Sequence, residues 1–154
     1  MTSPMPSNMD PKRALLTARV IWAALLAGQV ILLIVVTMMM GKVTGVGPAV
    51  INSLHFSSVG FLILAVPAAM FVRNQTYKKN WVGNRVTPQG YLRGNLILWA
   101  ACEGASLLSL IVTLLAGALM PFVIPSAFSL AVLVVNFPNG APMNPVEPEL
   151  LNRP

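Results

Sequence analysis

Glu103 is the residue of this sequence with the most chemistry to offer. It is the only Asp, Glu, Lys or Arg in the stretch 94–117. A carboxyl in apolar surroundings can carry a proton or a cation, or it can act as a neutral hydrogen-bonding group between helices, and it is expected to be protonated unless a cation or water compensates it. Two other polar residues fall at matching positions. Gln29 lies ten residues after Arg19, as Glu103 lies ten after Arg93, and Ser126 lies ten before Asn136. At about 1.5 Å per helical residue, ten residues place all three about 15 Å from the ends of their apolar runs. Glu103, Gln29 and Ser126 therefore form the candidate set, either as ion carrier or as interhelical hydrogen bonds. His55 lies eighteen residues before Arg73, about 12 Å from Glu103 in depth, so a His55–Glu103 proton pair is not expected. Cys102 adjoins Glu103, but successive helical residues do not face each other, and a buried thiol there reads as packing. The nine methionines have no thiolate or histidine cluster beside them. No metal site and no cofactor are expected. No serine, histidine and acid share a depth, so an enzyme is not expected either.

The elements that would carry these residues follow from where charge is missing. The chain has 154 residues, ten Lys or Arg and four Asp or Glu, so 9% are charged, while 56% are hydrophobic and the mean hydropathy is +0.74. An ordinary soluble domain has about 25% charged residues. A water-soluble globular domain is excluded, because so little charge cannot cover so much apolar surface. Four apolar runs organise the sequence, at 20–41, 43–72, 94–117 and 120–137. The first is too long and too poorly punctuated for a cleaved leader and reads as a retained helix. A hydrocarbon layer of about 30 Å takes about 20 helical residues. The fold class predicted is an all-α integral membrane protein, a four-helix transmembrane bundle of two hairpins. Its helices are expected at about 14–41, 48–72, 92–117 and 120–137. A disordered tail over 1–13, a basic loop over 73–93 and a Pro-rich tail over 138–154 complete it.

The basic residues set an orientation. Lys12, Arg13 and Arg19 precede the first run, Arg73, Lys78, Lys79, Arg85 and Arg93 fall between the second and third, and Arg153 is in the tail, against Lys42 alone on the other side. The positive-inside rule then predicts cytoplasmic N and C termini, in a bacterial inner membrane. Arg73, Lys78, Lys79, Arg85 and Arg93 are the headgroup and topology residues, attracted to anionic lipid by about 1 kcal/mol each. The lipid bilayer is thus the first expected partner. Nucleic acid is not expected, since a loop of this length carries no recognisable module.

Small residues recur at helical spacing. Ala101, Ala105 and Ser109 do so in the third run, beside Ala100 and Gly104; Ala23 with Ala27 and Ala24 with Gly28 do so in the first. Such pairs let helix backbones approach closely, within one chain or in a homo-oligomer or larger membrane complex. The segment Ala101-Cys102-Glu103-Gly104-Ala105, with Arg93 upstream and the apolar run of residues 107–112 after it, resembles the carboxylate-bearing second helix of the rotary ATP synthase c subunit. That likeness implies that Glu103 carries a transported proton or sodium ion. The glycine-rich first helix of that family has no counterpart in residues 50–71. The Ala-x-Glu-Gly core also resembles that of small bacterial four-helix membrane proteins, a likeness that implies no activity. The function expected is a structural or accessory subunit of a membrane assembly. The alternative is a proton- or ion-translocating, c-subunit-like protein using Glu103.

Overall fold

A computed structural model describes residues 9–42 and 46–144. Three long helices begin alike, with proline in the first turn: α1 (Pro11–Met39), α2 (Pro48–Lys79) and α3 (Pro88–Ala116). The first amides of a helix have no intrahelical partner, so proline there loses nothing. Asp10 caps α1 by accepting from the Lys12 amide at 3.1 Å, and Thr87 caps α3 by accepting from the Gly90 amide at 3.2 Å. Gly117 ends α3 in the left-handed conformation, with φ 63°, which glycine adopts without steric cost. All three helices are long and apolar enough to cross a membrane.

The fourth helix differs from expectation. α4 runs only from Ile124 to Val135, twelve residues, or about 18 Å. The run 120–137 predicted a longer one. Pro121 and Pro125 explain the difference: neither can donate in a helix interior, and each disfavours helical backbone in the residue before it. The helix starts where Pro125 falls in its first turn, and residues 120–123 form turns instead.

The expected basic loop over 73–93 is also mostly helical. Arg73, Lys78 and Lys79 belong to α2 and Arg93 to α3. Lysine and arginine are good helix formers, and Lys78 and Lys79 suit the negative end of α2. What remains is a hairpin of β1 (Trp81–Val82) and β2 (Arg85–Val86), antiparallel, with Trp81 opposite Val86. Residues 11–13, expected in the tail, start α1. Of the C-terminal tail, residues 138–144 fold back and end in a 3-10 turn at Ala141–Met143, burying Pro138, Gly140 and Met143. The rest of both expected tails, residues 1–8 and 145–154, lies outside the described residues.

The two-hairpin arrangement is replaced by a hub. α3 packs against α2, α1 and α4, while α1 and α2 scarcely touch. Thirteen of the 29 residues of α3 are buried, against four of 29 in α1 and three of 32 in α2. Tyr91, Asn95, Leu98, Cys102, Ala105, Ser109 and Val112 form one buried row of α3, its steps alternating four and three as in packed helices. The outer helices instead expose large apolar side chains, such as Phe56 at 74% and Leu64 at 73%. The small residues divide accordingly: Ala105 and Ser109 are buried, but Ala23, Ala24, Ala27 and Gly28 are exposed on α1.

Gly94 marks a close approach of α2 and α3 that the sequence requires. A Cβ there would stand 2.5 Å from Cε1 of Tyr77, whereas a Cβ at Gly28 would meet nothing. Gly94→Ala should therefore destabilise the fold by about 1–3 kcal/mol through overpacking. Gly28→Ala should not. Thermal unfolding of the two variants in one detergent checks this, and equal midpoints would contradict it.

Candidate functional site

Gln29 and Glu103 come together. They line one cavity of about 250 Å³ between α1 and α3, with Gly28, Ile31, Leu32, Val35 and Leu107. Gln29 is only 2% exposed, and both its amide nitrogen and its amide oxygen are buried without a hydrogen-bond partner. Glu103 is partly buried on α3. The other lining side chains are apolar, and no Lys, Arg or His is among them. The mouth of the cavity faces outward, since Gly28, Ile31, Val35 and Leu107 are exposed. A buried polar group left unpaired costs about 1–3 kcal/mol. The pair thus offers a donor and acceptors to something that enters from outside the bundle. The expected glue, a direct Gln29–Glu103 hydrogen bond, is not among those formed.

Ser126 lies on another interface. Its hydroxyl pairs with Ser106 Oγ at 2.7 Å, between α4 and α3. Ser109 completes the joint: its hydroxyl donates to the Phe122 carbonyl at 2.6 Å and accepts from the Ser126 amide at 3.1 Å. The residue before α4 is Val123, whose side chain cannot cap. Ser109 supplies from a neighbouring helix the oxygen that a local Ser, Thr, Asp or Asn would normally provide. Ser126 is therefore a structural hydrogen bond, apart from the Glu103 cavity.

The remaining candidates sit elsewhere. The His55 ring packs edge-on to Phe122 at 5.0 Å, outside the Glu103 cavity, and its Nδ1 is buried without a partner. Cys102 packs with Val66, Ala69 and Leu98. Among the described residues no three His, Cys, Asp or Glu side chains gather where they could hold a metal ion. Of the basic set, Lys78, Lys79, Arg85 and Arg93 are exposed, while Arg73 is drawn inward and its Nη1 donates to Asn136 Oδ1 at 2.7 Å.

Several working residues escape a reading of charge and depth. Trp22 Nε1 donates to the Leu133 carbonyl at 2.8 Å, and the Tyr91 hydroxyl accepts from the Gly140 amide at 3.2 Å. Tyr77 and Tyr91 stack with centroids 6.0 Å apart. Their one sequence signal is position: aromatic residues with a polar tip at the ends of apolar runs. Comparison with protein-family models, curated proteins and solved structures finds no match for this chain.

Ser109→Ala removes both the surrogate cap of α4 and the bond to Phe122. A loss of about 1–2 kcal/mol is expected. Ser57, whose hydroxyl bonds only within α2 and is exposed, is the control; a Ser109→Ala variant no less stable than Ser57→Ala would show that the joint does not hold α4.

Proposed function

We propose that this chain is an integral membrane protein that serves as a structural or accessory subunit of a membrane assembly, and that its α1–α3 face receives a transmembrane helix of a partner. The observation that carries this reading is the unpartnered carboxamide of Gln29, buried in a cavity open on the outer side of the bundle. A second feature supports it. Ala24, Gly28, Ile31 and Val35 form a stripe on α1 with steps of four and three, and all four are exposed. Small residues let a second helix come close, and in lipid a polar side chain on that helix gains hydrogen bonds worth about 0.6–2 kcal/mol. The partner helix would bring a Ser, Thr, Asn or similar group to Gln29 and Glu103. The occupant is another polypeptide of the membrane, a second copy included.

The test is site-specific photocrosslinking in cells. A photoreactive residue at Leu107, on the rim, should form an adduct with a membrane polypeptide, and Gln29→Leu with Glu103→Leu should reduce it severalfold. A probe at Leu64, exposed on α2, should give none of that adduct. Equal adducts at both positions, or an adduct indifferent to the double substitution, would defeat the docking reading.

The topology belongs to the same proposal. Gly117 lies beside Gly41 at the end of α1, while Arg19 and Tyr91 hold Pro138 and Gly140 at the opposite end. Residues 118–137 thus return along α3 despite the shortness of α4, which supports a fourth crossing. The start of α1, the hairpin and residues 138–144 share one end, and the basic residues favour the cytoplasmic side of a bacterial inner membrane for it. Single cysteines at Lys79 and Ala141, in a Cys102-free background, should label from one side and a cysteine at Lys42 from the other. Labelling of Ala141→Cys together with Lys42→Cys would overturn the fourth crossing.

One observation favours a second reading. Glu103 shares its cavity with no cationic side chain, as an acid that exchanges a proton or a metal cation requires. Purified protein in liposomes would then show pH-driven flux that Glu103→Gln abolishes. No flux in the wild type, with the crosslink retained, leaves docking as the role of the cavity.

A further inference from the structure

We infer that an anionic phospholipid binds along the α2–α4 groove, with its phosphate held at Arg73 and Asn136 and an acyl chain below. This rests on the membrane residence proposed above and is independent of docking at Gln29. Two spaces on the same pair of helices carry it. The first is a polar pocket of about 250 Å³ at the hairpin end, whose lining includes Arg73, Tyr77, Tyr91, Asn95, Asn136 and Phe137. The second is a groove of about 580 Å³ between α2 and α4, lined entirely by apolar residues, among them Leu62, Val66, Met70, Phe128 and Val132.

The two spaces are joined by helical register. Met70 precedes Arg73 by three residues on α2, and Val132 precedes Asn136 by four on α4, so each pair lies on one helix face. Asn136 Nδ2 donates to the Val132 carbonyl at 2.8 Å, which fixes its Oδ1 on Arg73 Nη1. The guanidinium is further placed by the Tyr77 ring, 5.9 Å from its centroid. Its Nε is nevertheless buried without a partner. A charged donor in that state is costly, and a phosphate oxygen is the acceptor whose geometry and charge match it.

Charge favours an anion here. Among the described residues no carboxylate lines the pocket. Arg19 lies over the ring of Phe137, a lining residue, at 5.6 Å, so a second positive charge stands beside the wall of the pocket. The apolar groove distinguishes a lipid from free phosphate. The α2 lining residues Val59, Leu62, Ile63, Val66, Pro67 and Met70 repeat in steps of three and one. They make a continuous stripe descending from Arg73 over fourteen residues, about 21 Å and so about the depth of one leaflet.

The test uses the full chain purified in a neutral detergent. Phosphatidylglycerol should raise the unfolding temperature saturably and survive as an adduct in native mass spectrometry. Phosphatidylcholine and inorganic phosphate should do so far less. Arg73→Gln should weaken phosphatidylglycerol binding by about tenfold, the worth of one charged hydrogen bond. Asn136→Asp keeps an acceptor for Arg73 but gives up the bond to the Val132 carbonyl and adds a competing carboxylate; in protein that still unfolds cooperatively it should abolish the lipid effect. Lys42→Gln should leave it intact, because that side chain is exposed at the opposite end of the bundle. Phosphatidylglycerol binding that is unchanged in Arg73→Gln and Asn136→Asp, or lost equally in Lys42→Gln, would overturn the site. An equal effect of inorganic phosphate would overturn the lipid assignment, and an equal effect of phosphatidylcholine the requirement for an anion. None of these outcomes bears on the Leu107 crosslink.

Discussion

The structure depends on one constraint: the terminal amides and carbonyls of a helix need hydrogen-bond partners wherever apolar surroundings keep water from them. α4, with only twelve residues, shows it most plainly. Its start is completed by Ser109 and Ser106 of α3. Its end is completed by Trp22, which donates to the Leu133 carbonyl, and by Asn136, which donates to the Val132 carbonyl. These bonds reach α4 from α1, from α3 and from its own last turn. They explain why α3 carries Ser106 and Ser109 on its buried face, where an isolated apolar helix would have only hydrocarbon.

The same constraint sorts the polar residues into two kinds. Ser106, Ser109, Thr113, Ser126 and Ser129 are buried and have hydrogen-bond partners within the chain. Gln29 is as deeply buried and has none. A serine or threonine can turn its hydroxyl onto a carbonyl of its own helix, as Thr113 and Ser129 do. The Gln29 carboxamide needs an external donor and acceptor instead. The contrast makes Gln29, more than Glu103, the residue whose presence calls for something beyond the chain.

Three helices, their approximate positions and the nearness of Gln29 to Glu103 were legible in the sequence. Charge-free length identifies a span by itself, and equal distance from Arg19 and Arg93 gave the common depth. Depth alone carries no angle, however. Ser126 shares the depth but faces α3 from α4, so it falls in a different site. The division of the small residues was illegible for a similar reason. Ala24 with Gly28 and Ala105 with Ser109 have the same spacing, yet only the second pair is covered. Spacing names a face, and only the neighbours decide whether it is occupied. The loop boundary failed because basic residues were read as loop, whereas lysine and arginine sustain a helix well. The ordered segment 138–144 depends on contacts to Arg19, Leu15 and Tyr91, far away in sequence.

The shortness of α4 then has a consequence for what surrounds the bundle. A helix running the full length of α3 could also close against α2, but α2 and α4 make few contacts. The groove between them is lined by Pro67 of α2 and by Pro125 and Phe128 of α4, and Arg73 bonds to Asn136 from α2 to the end of α4. Elsewhere, α1 leans on α3 and leaves Gln29 behind an exposed stripe that begins with the small residues Ala24 and Gly28. The two open faces are thus chemically unlike. One is a polar notch behind close-approach residues, suited to a helix. The other is an apolar channel under a guanidinium, suited to a lipid. A protein that met only bulk lipid would need neither, and the hub arrangement about α3 keeps both faces available at once.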